Sequence, residues 1–247
     1  MLLLRFSIAV LTAITTVTST QAVSAGDLPV KAPVFGVPVA AGPSWTGFYV
    51  GPTVGWTFAS SKGDYTGEVA PPPPPPPAPP RVYYPFNLKP SGATLGGLFG
   101  YNFQYARWLY GIEGDLSWIA NANDRIYDPA GSGRYDQIDL FWTAHARGRV
   151  GYLFNQYLIY FAGGAAFAGT RNWHYALDTL YDDSRTRTGF SLGGGIEAAL
   201  NAQWRVRAEY LYDHFSNQYF GWTSTRYSNS DLTLNTVRIA IVFRPGQ

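Results

Sequence analysis

The chain has 247 residues, a formal net charge of +2, 46% hydrophobic, 17% aromatic and only 14% charged residues, where an ordinary soluble domain carries about 25% charged. No run after residue 25 approaches the roughly 18 apolar residues of a membrane-crossing helix, and so small a net charge argues against a nucleic-acid partner. The absence of cysteine excludes a disulfide framework, a thiolate metal site and a cysteine nucleophile.

Residues 1–25 read as a cleaved secretory signal peptide. Arg5 gives a positive start, Phe6 to Val17 is apolar, and Val23-Ser24-Ala25 is a small-residue cleavage site, with Ala22 the second choice. Residues 26–44, spaced by Pro29, Pro33, Pro38 and Pro43, have no regular period and read as a periplasmic linker. From Trp45 to Arg244 the period is two, that of strands with two unlike faces.

In 46–58 the apolar row is Phe48, Val50, Val54, Trp56 and Phe58, opposed by Tyr49, Thr53, Thr57 and glycines. In 93–105 it is Leu95, Phe99, Tyr101, Phe103 and Tyr105. Segment 107–120 sets Trp108, Tyr110, Ile112, Leu116 and Trp118 against Arg107, Glu113, Asp115 and Ser117. Segment 137–152 sets Ile138, Leu140, Trp142, Ala144, Ala146, Val150 and Tyr152 against Gln137, Asp139, Thr143, His145, Arg147 and Arg149. Segment 157–170 is small or apolar on both faces, and Tyr157, Ile159, Phe161, Ala165 and Phe167 are taken as outward. Segment 185–200 opposes Phe190, Leu192, Ile196, Ala198 and Leu200 to Arg185, Arg187, Ser191 and Glu197. Segment 203–214 opposes Trp204, Val206, Ala208, Tyr210 and Tyr212 to Arg205, Arg207, Glu209 and Asp213. Segment 232–244 opposes Val237, Ile239, Ile241 and Phe243 to Thr236, Arg238 and Arg244.

These are eight strands of about 12 residues, enough to cross a bilayer at a tilt, where soluble strands run to about 5–6. Connections near Ala106, Asn155 and Asn201 are short. Those at 59–92, 121–136, 171–184 and 215–231 read as long extracellular loops, the first rich in proline. The expected fold is therefore all-β: an eight-stranded antiparallel up-and-down transmembrane barrel with both termini at the short-turn, periplasmic side.

Charge sets the orientation. A lipid-facing Arg or Lys near the midplane costs about 2–4 kcal/mol, and every mid-strand charge falls on the polar row. That row is expected to face the lumen, where Arg107, Arg147, Arg149, Arg187, Arg205, Arg207 and Arg238 nearly balance Glu113, Asp115, Asp139, Glu197, Glu209 and Asp213. His145 joins them. Since eight strands enclose a space that side chains just fill, the reading is an ionic plug with water in its gaps, passing at most a small leak. A lipocalin-like soluble barrel inverts the faces. Strand length, the terminal aromatic strand and the aromatics near strand ends (Trp45, Trp56, Trp108, Trp118, Trp204, Tyr152, Tyr212) argue against it.

Asp27-Leu-Pro-Val-Lys-Ala-Pro33, Trp45-Thr-Gly-Phe-Tyr-Val-Gly51, Tyr110-Gly-Ile-Glu-Gly-Asp-Leu-Ser-Trp118, Gly194-Gly-Ile-Glu197 and Arg207-Ala-Glu-Tyr-Leu-Tyr-Asp213 occur in this order. The chain so resembles, from residue 27 to Phe243, the small outer-membrane immunogenic proteins of alphaproteobacteria, the RopB-like family. The resemblance implies an OmpA-like eight-stranded barrel, often labelled porin, with some relatives reported to bind haemin. It implies as partners outer-membrane lipid, lipopolysaccharide and, during insertion, the barrel-assembly machinery. Three departures stand out: Pro52, which predicts a bulge or break in the first strand; the tail Arg244-Pro-Gly-Gln247 after Phe243; and the proline run from Pro71 to Pro80. That run predicts a polyproline II rod, read first as low complexity tolerated by a loop and otherwise as a spacer or a ligand for a proline-binding partner.

Trp173-His174-Tyr175 in the third long loop carries the haemin candidates His174 and Tyr175, since His and Tyr ligate haem iron; a loop triplet without function is the plainer reading. Glu113 and Asp115 lie on one lumen face beside arginines, where carboxylates are ion-pair partners before they are an acid/base pair. There is no Gly-x-Ser-x-Gly, no evident Ser-His combination, no close pair of histidines and no cofactor motif. The sequence therefore predicts a non-enzymatic membrane barrel without a metal, with a haemin receptor or a diffusion pore as the other readings.

Overall fold

Strands with one greasy and one polar face must hide one from the medium that suits the other, and closure into a ring solves this without leaving an edge. In a computed structural model of the chain, residues 44–68, 81–127, 135–176, 179–223 and 226–245 are described. They lie within one compact unit, Val37–Gln247. The signal segment, residues 26–43 of the linker and the proline run at 71–80 fall outside the described residues.

The strands are β1 (Gly47–Glu68), β2 (Arg81–Leu88), β3 (Ser91–Tyr105), β4 (Trp108–Tyr127), β5 (Tyr135–Phe154), β6 (Tyr157–Ala176), β7 (Thr179–Ala199), β8 (Trp204–Thr223) and β9 (Arg226–Phe243). Every pairing is antiparallel between neighbours, and β1 returns to β9 to close the ring. β2 pairs with the upper part of β1 from Ser61 to Glu68, and β3 with the lower part from Gly47 to Phe58. Lys89-Pro90 interrupts what is otherwise one stave, so the ring has eight members, as the periodicity predicts.

The two-residue turns after β3 and β5 place Ala106 and Asn155 at φ 55° and 53°. After β7 the side chain of Asn201 accepts hydrogen bonds from the amides of Gln203 and Trp204. Pro52 makes no bulge. Val50 opposes Phe243 and Thr53 opposes Ala240, one unchanged register across the proline.

The long connections are shorter than expected. Ladders continue through most of 59–92, 121–136, 171–184 and 215–231, giving β4, β5, β6 and β8 20 residues each. At about 3.3 Å per residue and a tilt near 40°, such a strand rises about 50 Å, twice the roughly 25 Å apolar band of an outer membrane. Alternation is legible only where lipid demands it. Above the lipid both faces meet polar surroundings, the greasy row is relaxed, and a strand there reads as a loop.

Two irregularities change the faces. Three residues of β4, Ile119 to Asn121, oppose the single Phe141 between the pairs Trp118–Trp142 and Ala122–Leu140, with Asn121 at φ 57°. Phe141 is likewise the extra residue between β5 and β6. Each bulge flips the parity of its strand. Ile138 and Leu140, expected outside, are buried within, and Gln137 and Asp139, expected within, lie on the outer face.

Below the bulges the expected rows hold. Phe48, Phe99, Ile112, Leu116, Phe161, Leu192, Ile196, Val237, Ile239 and Ile241 are exposed, Phe48, Ile112 and Phe161 by more than 70%. Trp108 and Trp204 stand outward at the starts of β4 and β8 and Trp56 and Trp118 outward at mid-strand, and Trp108 packs edge-on against Tyr152. Trp45 does not belong to this girdle: at 1% exposed, it is inside the barrel.

Candidate functional site

The barrel interior is stacked in three tiers. At the periplasmic end Trp45 packs with Leu109, Leu153, Leu158 and Tyr160. The chain is pinned as it enters: the Ser44 carbonyl accepts hydrogen bonds from Arg205 (3.2 Å) and Arg244 (2.7 Å), and the Arg205 guanidinium lies 4.4 Å over the Trp45 ring. The Trp45 amide donates to Gln104 Oε1 at 2.9 Å. At the opposite end Ile119, Ile138, Leu140, Phe215, Leu232 and Leu234 form an apolar tier. The bulges complete it, by turning Ile138 and Leu140 inward to join residues that face the lumen by plain alternation.

Between the two lies one continuous ionic network. Glu113 on β4 takes Arg147 at 2.7 Å on Oε1, and on Oε2 both Arg149 (3.3 Å) and Arg207. Asp115, two residues on and on the same face, takes His145 Nδ1 at 2.8 Å, Arg147 at 3.1 Å and Arg238 at 2.8 Å. Glu209 joins Arg147 (3.1 Å) to Arg238 (2.7 Å), and Glu197 joins Arg149 (3.1 Å), Arg207 (2.9 Å) and, at 3.9 Å, Arg205. Asp213 lies 3.3 Å from His145 Nε2. Five arginines and His145 thus join five carboxylates, all buried, from five strands around the ring. Because guanidinium is planar with five donors, Arg149, Arg207 and Arg238 each bridge two acids and Arg147 three, which ties distant strands together.

Two tyrosines that sequence reasoning did not single out complete the tier. Tyr49 donates to Glu113 Oε2 at 2.7 Å, and Arg149 stacks 4.3 Å from the Tyr160 ring. Tyr49 lies across Gly100, where an added Cβ would meet its hydroxyl at 2.4 Å. Gly100→Ala is therefore expected to push Tyr49 off Glu113 and lower stability by about 1–3 kcal/mol. Gly97→Ala on the same strand, whose Cβ would find its nearest neighbour 3.7 Å away, is expected to be neutral. Urea midpoints of the detergent-refolded variants check the pair.

Three members expected in the cluster stand apart from it. Arg107 is exposed in the turn after β3, because that turn consumes only two residues. Asp139 is carried outside by the Phe141 bulge and accepts from Trp173 Nε1 at 2.6 Å. Arg187 is buried higher up and donates to the Ser230 carbonyl at 3.0 Å and its hydroxyl at 2.9 Å. His174 and Tyr175 belong to β6 and not to a loop. His174 Nδ1 is 2.7 Å from Asp136, and Tyr175 stacks on Tyr135 at 5.4 Å.

A ring of eight antiparallel strands, greasy outside and ionic within, defines an integral β-barrel protein of the Gram-negative outer membrane. The chain belongs to the outer membrane protein β-barrel family, whose domain matches residues 31–243. It is similar to the 25 kDa outer-membrane immunogenic protein of Brucella abortus, 27% identical over 218 residues covering 87% of this chain and 85% of that protein. It is also similar to a 22 kDa outer membrane protein of Rhizobium leguminosarum, 29% identical over 142 residues, 58% of this chain and 61% of that one. These relatives place it with the small outer-membrane immunogenic proteins of alphaproteobacteria. Among solved structures it is similar to the outer membrane protein OprG of Pseudomonas aeruginosa, with TM-score 0.47, 12% identity, and coverage of 81% of this chain and 97% of that one. It is likewise similar to the outer membrane protease OmpT of Escherichia coli, with TM-score 0.45, 9% identity, and coverage of 80% and 96%.

Proposed function

We propose that this protein is a closed, non-enzymatic scaffold of the outer membrane, which carries strand extensions and their connections above the lipid and passes at most a small leak through its lumen. The observation that carries the reading is the ionic network from Asp213 to Glu197, buried between two apolar tiers. A solute crossing the lumen must part ion pairs in a medium where an unpaired charge costs several kcal/mol, and must also pass apolar side chains at both ends.

Planar-bilayer recording on purified protein tests this. The expected trace has no steady conductance step, and a reproducible open level from the monomer would replace the scaffold with a diffusion pore. Haemin reception at His174 and Tyr175 is tested by absorbance titration. The scaffold reading expects no saturable shift of the haemin band, whereas a shift lost in His174→Ala would make the protein a receptor.

A further inference from the structure

We propose that the outward face of the β4–β7 extensions is a saccharide-binding surface, occupied by the sugar part of the outer-leaflet glycolipid. The inference rests on the outer-membrane placement and not on the closed lumen, so it stands or falls independently of the conductance result.

Antiparallel register lays these residues out in cross-strand rows. Tyr127, Tyr135, Tyr175 and Leu180 form one row, and Arg125, Gln137, Trp173 and Asp182 the row below it. Beneath them Asp139 opposes Arg171. The bulges turn the β4 and β5 residues outward, and the unbroken alternation of β6 and β7 brings Trp173, Tyr175, Leu180 and Asp182 to the same side, directly above the hydrocarbon-facing belt that ends near Trp118 and Phe141.

The patch is ordered by its own contacts. Tyr135 and Tyr175 stack with an interplanar angle of 15°. The Arg125 guanidinium sits 4.2 Å over Tyr135, and that of Arg171 4.1 Å over Trp173. Arg125 Nε donates to Gln137 at 2.8 Å, Gln137 donates to Asp139 at 2.6 Å, and Trp173 donates to the other oxygen of Asp139. Arg171 pairs with Asp182.

This is the chemistry a sugar needs. Tyr135, held between Arg125 and Tyr175, fixes the row, and Tyr127, 61% exposed at its end, offers an open ring to the C–H face of a pyranose, while carboxylate, amide and guanidinium groups beside it match adjacent hydroxyl pairs. Charge decides against the alternatives. Arg125 and Arg171 are balanced by Asp139 and Asp182, so the patch has no excess of cations to select a bare phosphate. Protein–protein interface cores share the Tyr, Trp and Arg of this patch but are depleted in Asp, so Asp139 and Asp182 disfavour a second copy of the chain. Position decides for the glycolipid. The face looks sideways from the barrel wall, continuous with the lipid interface, at the height where headgroup sugars begin.

The test uses full-length protein refolded in detergent, titrated by calorimetry with delipidated core oligosaccharide of rough lipopolysaccharide and, separately, with lipid A. Saturable binding of the oligosaccharide is expected, weakened about tenfold in Tyr135→Ala/Trp173→Ala. Heat-modifiable migration on gels reports whether that variant still folds. Tyr127→Ser, at the exposed end of its strand, removes a phenol that meets only Tyr135 (5.9 Å) and Arg125 (3.3 Å) among the contacts of the patch, and is expected to weaken binding about threefold. Binding of lipid A alone, or oligosaccharide binding unchanged in both variants, would overturn the proposal. So would a dimer in sedimentation that the variants abolish while the oligosaccharide is not bound.

Discussion

Glu113→Gln is expected to lower the unfolding free energy by about 3–5 kcal/mol, the largest effect of any conservative change in the barrel interior. The charge it removes is the shared partner of Arg147, Arg149 and Arg207, and the acceptor for Tyr49. None of these groups reaches water. An amide keeps the shape but leaves three guanidiniums competing for one neutral oxygen, and Glu197, Asp115 and Glu209 are already engaged. The magnitude measures the cost of breaking a buried network and not the net worth of having one, since an apolar replacement of the whole cluster need not be less stable. Asp182→Asn is the contrast: its partner Arg171 is on the surface, and such pairs contribute about 0–1 kcal/mol. Urea unfolding in detergent, followed by tryptophan fluorescence, reads both. Equal midpoints would mean that the ionic tier is solvated and does not hold the strands together.

Ile239→Arg is expected to block or slow membrane insertion, with a cost of about 2–4 kcal/mol if the residue sits near the bilayer midplane. Ile239 faces outward, flanked across the strands by Val54 and Ala208. Its neighbour Arg238 faces inward onto Asp115 and Glu209. One residue along the strand thus separates a position where arginine is forbidden from one where it is held by two carboxylates. Outer-membrane fractionation and heat-modifiable migration check the result. Expected are little folded Ile239→Arg, and Ile239→Leu indistinguishable from the native chain.

How far the sequence foretells this structure depends on which face lipid touches. Between Phe48 and Trp118, with Arg107 in its turn the exception, and from Leu192 to Phe243, the side chains of the predicted rows fall on the predicted side, because a charge toward hydrocarbon is too costly to be tolerated. The carboxylates and the five arginines of the network are legible for the same reason. What escapes is governed by single-residue events. The extra residue at Phe141 carries no glycine or proline to mark it, yet it exchanges the roles of Leu140 and Asp139 and supplies the apolar upper tier. Asn121, a residue type that tolerates a positive φ, is the one local sign of the β4 bulge. Trp45 looks like an interfacial aromatic by its position, and only the convergence of Arg205 and Arg244 on Ser44 draws it inside. Tyr49 sits on the predicted lumen row, but its bond to Glu113 depends on the bare backbone of Gly100 in a different strand.

The absence of cysteine makes one experiment clean. Single cysteines at Ile112, Phe161 and Ile196, labelled with a fluorophore after refolding into bilayers, are to be quenched in turn by lipids brominated on their acyl chains and by aqueous iodide. With the greasy rows against hydrocarbon, all three labels lose fluorescence to the brominated lipid and are indifferent to iodide. Quenching by iodide and none by brominated lipid, at two or more of the three, would contradict the orientation of the barrel wall.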